Sequence, residues 1–203
     1  MNKLFSSKKS TAKKQPIVVV SGLPRSGTSM MMKMLAEGGL SIVTDAQRMA
    51  DDDNPNGYFE FERVKQMSAG DRAWLDDAPG KVVKVISALL EQLPTNYQYK
   101  IIFVERAMPE ILASQKKMLV NRGEENKFSD AEMEEQYRAH LKAVRPWLAR
   151  QPHMETLYVD YNKMVAEPAP IVARIVEFLG MPLNAERMSA VPNAQLYRNR
   201  AAK

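Results

Sequence analysis

The 203-residue chain contains no cysteine and has no long apolar run. The lack of cysteine excludes disulfide bonds, thiolate metal sites and cysteine nucleophiles, and it fits a reducing compartment, so we predict a cytoplasmic location. Because no run approaches the roughly 18 apolar residues of a transmembrane helix, we expect no membrane span. With 45% hydrophobic and 26% charged residues, the composition is otherwise typical of a globular protein.

The chain also lacks an excess of positive charge outside its first residues, although its formal net charge is +5. The excess lies in residues 1–14, which contain five lysines and no acidic residue, so the charges of the remaining residues cancel. A nucleic-acid partner is therefore not indicated. Residues 1–15 are rich in serine and lysine and have no apolar core, which predicts a disordered basic tail rather than a secretory signal.

Apolar runs alternate with amphipathic stretches along the rest of the chain. The run that ends at Gly22 (QPIVVVSG) is typical of a strand buried on both faces. Further strands are predicted in KVVKVIS, YKIIFVER and TLYVDY, and helices in TSMMMKMLAEGG, FERVKQM, the segment from Pro109, the segment after Ser129 and APIVARIVEFLGMP. This alternation predicts an α/β fold in three layers, with a mainly parallel central sheet of four to five strands flanked by helices.

The turn after the first predicted strand, GLPRSGTS, has the glycine spacing of a phosphate-binding loop but lacks its lysine. In the pattern G-x-x-x-x-G-K-[ST], Gly22 and Gly27 fit, and Thr28 stands in the lysine position. The unpaired amides at a helix start and the helix dipole attract anions. Arg25 is the cation of this segment, and its guanidinium can form charge-assisted hydrogen bonds to anionic oxygens. The simpler alternative is a tight strand–helix turn with a solvent-facing arginine.

A second motif lies at the end of the third predicted strand, where FVERAMPEILAS places Arg106 and Ser114 eight residues apart. LPRSGTS resembles the 5′-phosphosulfate loop of the sulfotransferase family, and the second motif is similar to the family's 3′-phosphate site. LYVDYNKMVAEPAPIVARIVEFLGMPL is similar to the family's late strand, acidic loop and closing helix. The resemblance extends over most of residues 16–183. It implies that residues 16–203 form one sulfotransferase-like domain with a fold like that of P-loop NTPases.

The resemblance also implies a reaction. A sulfuryl group would pass by in-line displacement from 3′-phosphoadenosine-5′-phosphosulfate (PAPS) to an acceptor hydroxyl or amine, leaving 3′-phosphoadenosine-5′-phosphate (PAP). Arg25 would neutralise charge on the bridging oxygen, and no metal would be required, because a sulfuryl group carries less negative charge than a phosphoryl group. Thr28 and Ser29 would bind the 5′-phosphate, and Arg106 and Ser114 the 3′-phosphate. The other implied donor contacts are Pro24, Ser26, Gly27 and, from a late basic segment, Arg198 or Arg200, although that segment could instead be a frayed basic tail.

Two of these positions, and a lysine outside them, allow structural roles as well. Arg106 could form a strand-end ion pair with Glu105 or Glu110, and Ser114 could be a small helix residue packed on the sheet. Lys84, in the predicted strand KVVKVIS, is unusual because a lysine in a buried strand needs a partner or a cavity. It could line the donor pocket or extend to solvent from a strand end.

The general base that an acceptor hydroxyl requires is not evident. Asp45 follows LSIVT, which could form a short strand running back to the site, and it is our first candidate. Glu60, in a loop that could face the acceptor, is the second. Asp45 could instead cap a turn, and Glu60 could lie in the first turn of a helix. His140 and His153 are interpreted as surface residues.

Two other functions fit parts of the pattern. A P-loop nucleotide kinase or another NTPase would share the glycine spacing, but the absent lysine argues against it. A non-catalytic nucleotide-binding relative would keep the donor pocket without a base. The acceptor could be a small molecule, a glycan or a peptide, and residues 45–77 and 121–130 are expected to shape its pocket. A homodimer is compatible with the sequence.

Overall fold

The computed structural model describes residues 15–45, 57–125 and 128–192. Its five strands are β1 (Ile17–Gly22), β2 (Ile42–Val43), β3 (Val82–Lys84), β4 (Tyr99–Glu105) and β5 (Met154–Asp160). They form one sheet in the order β2-β3-β1-β4-β5, and each of these pairings is parallel. The predicted α/β fold with a mainly parallel sheet of four to five strands is therefore confirmed.

The described residues between and after the strands form α-helices and 3₁₀-helices. The α-helices are α1 (Thr28–Glu37), α2 (Met108–Arg122), α3 (Asp130–Ala149), α4 (Tyr161–Ala166), α5 (Pro168–Leu179) and α6 (Ala185–Ser189). The 3₁₀-helices are η1 (Glu62–Ala69), η2 (Ala73–Asp77) and η3 (Ser87–Gln92). The capping box predicted at Ser129 is present, because Ser129 and Glu132 each accept the other's backbone N–H.

The three layers follow from the alternation of side chains along the central strand β1. Val18 and Val20 point into a core formed with α1, α4, α5 and α6, which includes the buried methionines of α1. Ile17 and Val19 point to the opposite face, into a core formed with the 3₁₀-helices and α3. Because successive strand residues face opposite sides, a strand covered on both faces must be apolar throughout.

Four details differ from the expected elements or refine them. LSIVT contributes the short edge strand β2. FERVKQM contributes to the 3₁₀-helix η1 rather than to an α-helix. β3 ends at Lys84, before the predicted end of its segment. β5 ends at Asp160, because the Asp160 carboxylate accepts the Lys163 N–H at 3.0 Å and caps α4.

All five strands are parallel, so their carboxyl ends meet at one edge of the sheet, which we call the carboxyl edge. In such folds ligands bind at this edge. It brings together the residues that follow each strand, among them Asp45, Lys84, Arg106, Tyr161 and the turn after β1. No helix among the described residues is long and apolar enough to cross a membrane. The predicted tail, apart from Gln15, and the candidate donor contacts Arg198 and Arg200 lie outside the described residues.

Candidate active site

The turn between β1 and α1, which we call the donor loop (residues 22–29), has an unusual backbone. The Ser26 N–H donates to the Leu23 carbonyl at 3.2 Å, and Arg25 has a φ of 66°. Proline at the second position and a positive φ at the third are features of a type II turn, whose third residue is usually glycine or asparagine. An arginine held in this conformation is strained, and such strain is typical of functional sites.

Two glycines of the donor loop are required by close contacts. A Cβ atom on Gly22 would lie 2.5 Å from the Val104 carbonyl oxygen of the neighbouring strand. A Cβ atom on Gly27 would lie 2.2 Å from Cδ2 of the Tyr161 ring, and Gly27 also has a φ of 104°. Gly27 is the N-cap of α1 and no side chain caps this helix end. The first amides of α1 therefore have no intrahelical partner and suit an anion.

The other side chains of the donor loop divide into two sets. Pro24 is exposed at the turn, and Ser29 is half-buried. Ser26 is 1% exposed, and its hydroxyl lies beneath the loop, 2.6 Å from where a Cβ of Gly22 would be. The Thr28 residue is also buried. The side chain of Ser26 is thus turned toward the sheet, and its contribution to an anion site would come from the position it gives the loop backbone.

The Arg25 guanidinium is held across the donor loop by helix α2. Its Nε donates to Ser114 Oγ at 3.0 Å, and its Nη1 contacts the Met118 sulfur at 4.0 Å. Ser114 is 5% exposed and lies on the side of α2 that faces the loop. Two residues singled out from separate motifs, Arg25 and Ser114, are therefore in direct contact, and the half-buried Arg25 side chain is directed to α2 rather than only to solvent.

Arg106 follows β4 and is the centre of a buried network. Its Nε donates to the Glu110 carboxylate at 2.9 Å, and its Nη1 donates to the Arg25 carbonyl at 3.2 Å. The Arg106 and Glu110 side chains are only 8% and 2% exposed. The ion pair with Glu110, considered as a structural alternative, is present. Arg106 also holds the strained residue of the donor loop, so its position serves the loop directly.

Sequence reasoning missed two residues of this network, which come from the start of α4. The Tyr161 ring lies between Gly27 and the Arg106 guanidinium, whose carbon is 4.5 Å from the ring centroid. Asn162 Nδ2 donates to the second Glu110 oxygen at 2.9 Å. Burial raises the pKa of the Tyr161 hydroxyl, and the nearby Arg106 and Arg25 oppose this. The position of Tyr161 and Asn162 directly after a strand of the parallel sheet was the available signal.

Lys84 ends β3 beside β1 and contacts the donor loop. Its Nζ donates to Ser29 Oγ at 3.3 Å and to the Tyr58 carbonyl at 2.9 Å. The partner that a half-buried lysine requires is therefore present, and Lys84 lines the loop rather than extending into solvent.

The candidate bases Asp45 and Glu60 lie next to each other beyond the end of β2. The Asp45 N–H and the Thr44 hydroxyl both donate to the Glu60 carbonyl, at 3.4 and 2.9 Å. The Asp45 carboxylate accepts the Glu62 N–H at 2.7 Å, so it caps the start of η1. The Glu60 carboxylate lies 3.9 Å from Lys65 Nζ and is 25% exposed. Residues 57–62, which we call the strap, carry Glu60 to the same edge as the donor loop.

Of the two histidines, His153 is not the surface residue that the sequence suggested, whereas His140 is partly exposed. His153 is 7% exposed, lies at the start of β5 on the edge opposite the donor loop, and has its pKa lowered by burial. His140 is half-buried in α3, and its Nε2 lies 2.8 Å from the hydroxyl of the buried Ser87, just after β3. The helix pattern around each histidine did not reveal these tertiary contacts.

The tip of the α2–α3 hairpin forms an open groove. Its apolar walls are Leu119, Val120 and Phe128, and its polar rim includes Lys116, Glu124 and Asp130. Val120 and Phe128 are 71% and 47% exposed. Within residues 15–45, 57–125 and 128–192, no group of three or more histidine, aspartate or glutamate side chains is arranged to hold a metal ion.

The sequence matches a known protein family. A family model described as a sulfotransferase domain matches residues 15–199. The chain belongs to the sulfotransferase domain family. No curated protein matches the sequence.

Solved sulfotransferase structures share the fold. Sulfotransferase STF1 from Mycobacterium tuberculosis H37Rv superposes with a TM-score of 0.61 at 17% identity, over 87% of this chain and 71% of that one. Mouse sulfotransferase SULT7A1, complexed with PAP, superposes with a TM-score of 0.55 at 16% identity, over 95% of this chain and 68% of that one. The sulfotransferase domain from the curacin biosynthetic pathway superposes with a TM-score of 0.51 at 14% identity, over 85% of this chain and 76% of that one. The predicted P-loop NTPase-like fold of this sulfotransferase is thereby confirmed.

Proposed function

We propose that this sulfotransferase uses PAPS as its donor and transfers the sulfuryl group to a hydroxyl or amine, releasing PAP. The observation that carries the proposal is the position of Arg25. Its backbone is held in a left-handed turn at the uncapped start of α1, and its guanidinium is tied across the loop to Ser114. A fixed cation beside a set of helix-start amides suits an anionic group on which charge develops.

The residues present fit the two anionic ends of the donor. We assign the 5′-phosphosulfate to the donor loop, where Pro24, Ser26 and Gly27 set the backbone and Thr28 and Ser29 add hydroxyls. Lys84, in contact with Ser29, places a second cation at this end. The family pair Arg106 and Ser114 is assigned to the 3′-phosphate. A guanidinium has five N–H donors, so the contacts of Arg106 to Glu110 and to the Arg25 carbonyl are compatible with a further contact to phosphate.

The proposed transfer is an in-line displacement. The acceptor atom forms a bond to sulfur while the bond from sulfur to the bridging oxygen breaks, and that electron pair leaves with PAP. Arg25 neutralises the charge that develops on the bridging oxygen, and a general base takes the acceptor proton. A metal is not part of the proposal, because Arg25 and Lys84 supply positive charge at the reacting end.

Glu60 is the better placed of the two candidate bases. The Asp45 carboxylate caps η1 through a short hydrogen bond of 2.7 Å, whereas the Glu60 carboxylate has a looser contact of 3.9 Å with Lys65. Glu60 also lies on the strap, two residues from the Tyr58 carbonyl that Lys84 contacts. We therefore propose Glu60 as the base and Asp45 as a residue that positions the strap, which reverses their order from the sequence alone. Asp45 as the base is the alternative. We also propose that the α2–α3 groove and the strap border the acceptor pocket, and that the protein acts in the cytoplasm.

The test combines binding and transfer. Titration calorimetry should show that the wild type binds PAP more tightly than ATP with Mg²⁺, and ³⁵S-labelled PAPS should label at least one member of a panel of alcohols, phenols, sugars, peptides and amines. Arg25→Ala should lower the transfer rate by about 100-fold or more, the usual effect of removing a group that stabilises transition-state charge. Arg25→Lys should recover part of the rate.

Arg187→Ala is the matched control, because Arg187 forms an exposed ion pair with Glu37 at the far end of α1. Its transfer rate should equal that of the wild type. Near-normal transfer by folded Arg25→Ala would contradict the role of Arg25. Tighter binding of ATP with Mg²⁺ than of PAP would favour a kinase or NTPase, and PAP binding without any transfer would favour a non-catalytic relative.

A further inference from the structure

One lysine joins the donor loop to the strap. Lys84 Nζ donates to Ser29 Oγ in the donor loop and to the Tyr58 carbonyl in the strap, at 3.3 and 2.9 Å. Lys84 lies on β3, opposite Val20 of β1 in the parallel register, so its backbone is fixed by the sheet. The connection therefore runs from a fixed strand backbone through the Lys84 side chain to Ser29 and to the Tyr58 carbonyl.

The strap carries backbone strain. Phe59 has a φ of 50°, and Arg25 is the other non-glycine residue of the described segments with a positive φ. A bulky residue in the left-handed region costs about 1–2 kcal/mol. The contacts that hold the strap include Lys84 to Tyr58, Thr44 to Glu60 and Asp45 to Glu62.

An anion at the donor loop acts on Lys84. Opposite charges near a protein surface attract each other, and an ammonium group has three N–H donors that it can direct to different acceptors. A phosphate at Ser29 therefore takes one donor of Lys84 and restricts the side chain, while the shorter contact to Tyr58 uses another. Fixing the lysine reduces the entropy that the strap loses when it becomes ordered, which is positive coupling between the two segments.

We propose that Lys84 couples the donor loop to the strap, so that an anion bound at the loop orders residues 57–62 and places Glu60 for the acceptor. The inference rests on the proposed function, because it requires the donor's 5′-phosphate to lie at Ser29. Lys84 thus positions the strap in addition to contacting the donor, and the expected consequence of this coupling is that the donor binds before the acceptor.

The test needs no acceptor, because PAP carries the 5′-phosphate. Hydrogen exchange of peptides covering residues 57–62 is measured by mass spectrometry with and without saturating PAP. In the wild type, PAP should slow exchange of the strap amides by about fivefold or more, the lower end of usual coupling between sites. In Lys84→Met, PAP at its own saturating concentration should leave strap exchange unchanged. Lys84→Gln, which keeps a donor but no charge, should behave in the same way, and Lys84→Arg should restore part of the effect.

Lys81→Met is the matched control, since Lys81 lies three residues earlier at the other end of the same strand, and it should retain the full effect. Full PAP-induced protection of the strap in folded Lys84→Met or Lys84→Gln would overturn the inference. Unchanged strap exchange in the wild type with PAP bound would also overturn it, whether or not the variants fold, and would leave the proposed function standing. A wild type that binds no PAP would overturn the proposed function and this inference together.

Discussion

The donor loop and the strap lie at the same edge of the sheet, but they are held by different kinds of contact. Behind the donor loop, Arg106 and Glu110 are almost fully buried and are tied to Asn162 and to the Arg25 carbonyl. The strap packs Phe59 and Phe61 against the cores, but its acidic end lies near the surface. There, the hydrogen bond from Thr44 to Glu60 is exposed and the Lys65 side chain is 56% exposed. The α2–α3 groove is also open, with Val120 71% exposed.

This difference indicates a division of work within the site. A buried network of charged groups is costly to rearrange, so the donor side presents one fixed geometry. Surface contacts contribute little individually, so the acceptor side can adjust when a substrate arrives. The variants below test this difference, from the largest expected effect to the smallest.

Breaking the buried ion pair should have the largest effect. Glu110→Ala leaves the Arg106 guanidinium buried without its carboxylate, so we expect the free energy of unfolding to fall by about 3–5 kcal/mol. Urea denaturation followed by circular dichroism measures this. Glu134→Ala is the matched control, because Glu134 forms the same kind of i,i+4 pair with Arg138 at the surface, and it should cost about 0.5 kcal/mol or less. Equal losses of unfolding free energy in the two variants would contradict the view that the donor side is held by a buried network.

Gly27→Ala should have the next largest effect. The new Cβ meets the Tyr161 ring, which cannot move because Arg106 packs on its face, and the backbone is left-handed. Overpacking and backbone strain together predict a loss of about 2–4 kcal/mol and loss of PAP binding. Gly123→Ala is the control, since Gly123 has a φ of 65° but no atom within 4 Å of the new Cβ. It should lose about 1 kcal/mol and keep PAP binding. Normal PAP affinity in Gly27→Ala would show that the loop tolerates a side chain.

Asp45→Ala tests the acceptor side. Loss of the cap on η1 should cost about 1 kcal/mol, and strap amides should exchange faster. Ser129→Ala removes the cap of α3 at a similar cost in unfolding free energy, and strap exchange should not change. If Asp45 is instead the base, Asp45→Asn will abolish transfer to any acceptor while strap exchange stays normal. That outcome would make Asp45, rather than Glu60, the first candidate for the general base, as the sequence alone suggested.

His153, at the opposite edge of the sheet, should have the smallest effect. Burial lowers its pKa in the folded protein below the ordinary value of about 6.5 that applies when the chain is unfolded. Below that pH the unfolded state binds more protons, so stability should fall as the pH decreases from about 7 to 5. Denaturation midpoints of wild type and His153→Gln across this range provide the measurement, and the variant should have the flatter profile. An identical slope in both proteins would assign the pH dependence to other groups.

Much of the fold was predictable because local patterns specify it. The β-branched run from Ile17 specifies a strand covered on both faces, and Ser129 with Glu132 specifies a helix start. The glycine spacing around Arg25 likewise indicates an anion loop. The pairing of Arg106 with Glu110 was one of the alternatives that the sequence offered, but the roles of Tyr161 and Asn162 were not predictable, since their partners lie more than 50 residues away. The burial of His153 was misjudged for the same reason.

The amino-acid sequence by itself determined the order of strands and helices, the donor loop and the presence of Arg25 within it, because these depend on residues close together in the chain. Only the tertiary structure decided that Arg25 meets Ser114, that Arg106 holds the loop, that Asp45 is a cap and that Lys84 reaches both the loop and the strap. The physical reason is that parallel strands bring their carboxyl ends to one edge of the sheet. Side chains distant in sequence become neighbours there, and which of them pair is settled by burial and by the donors and acceptors within reach.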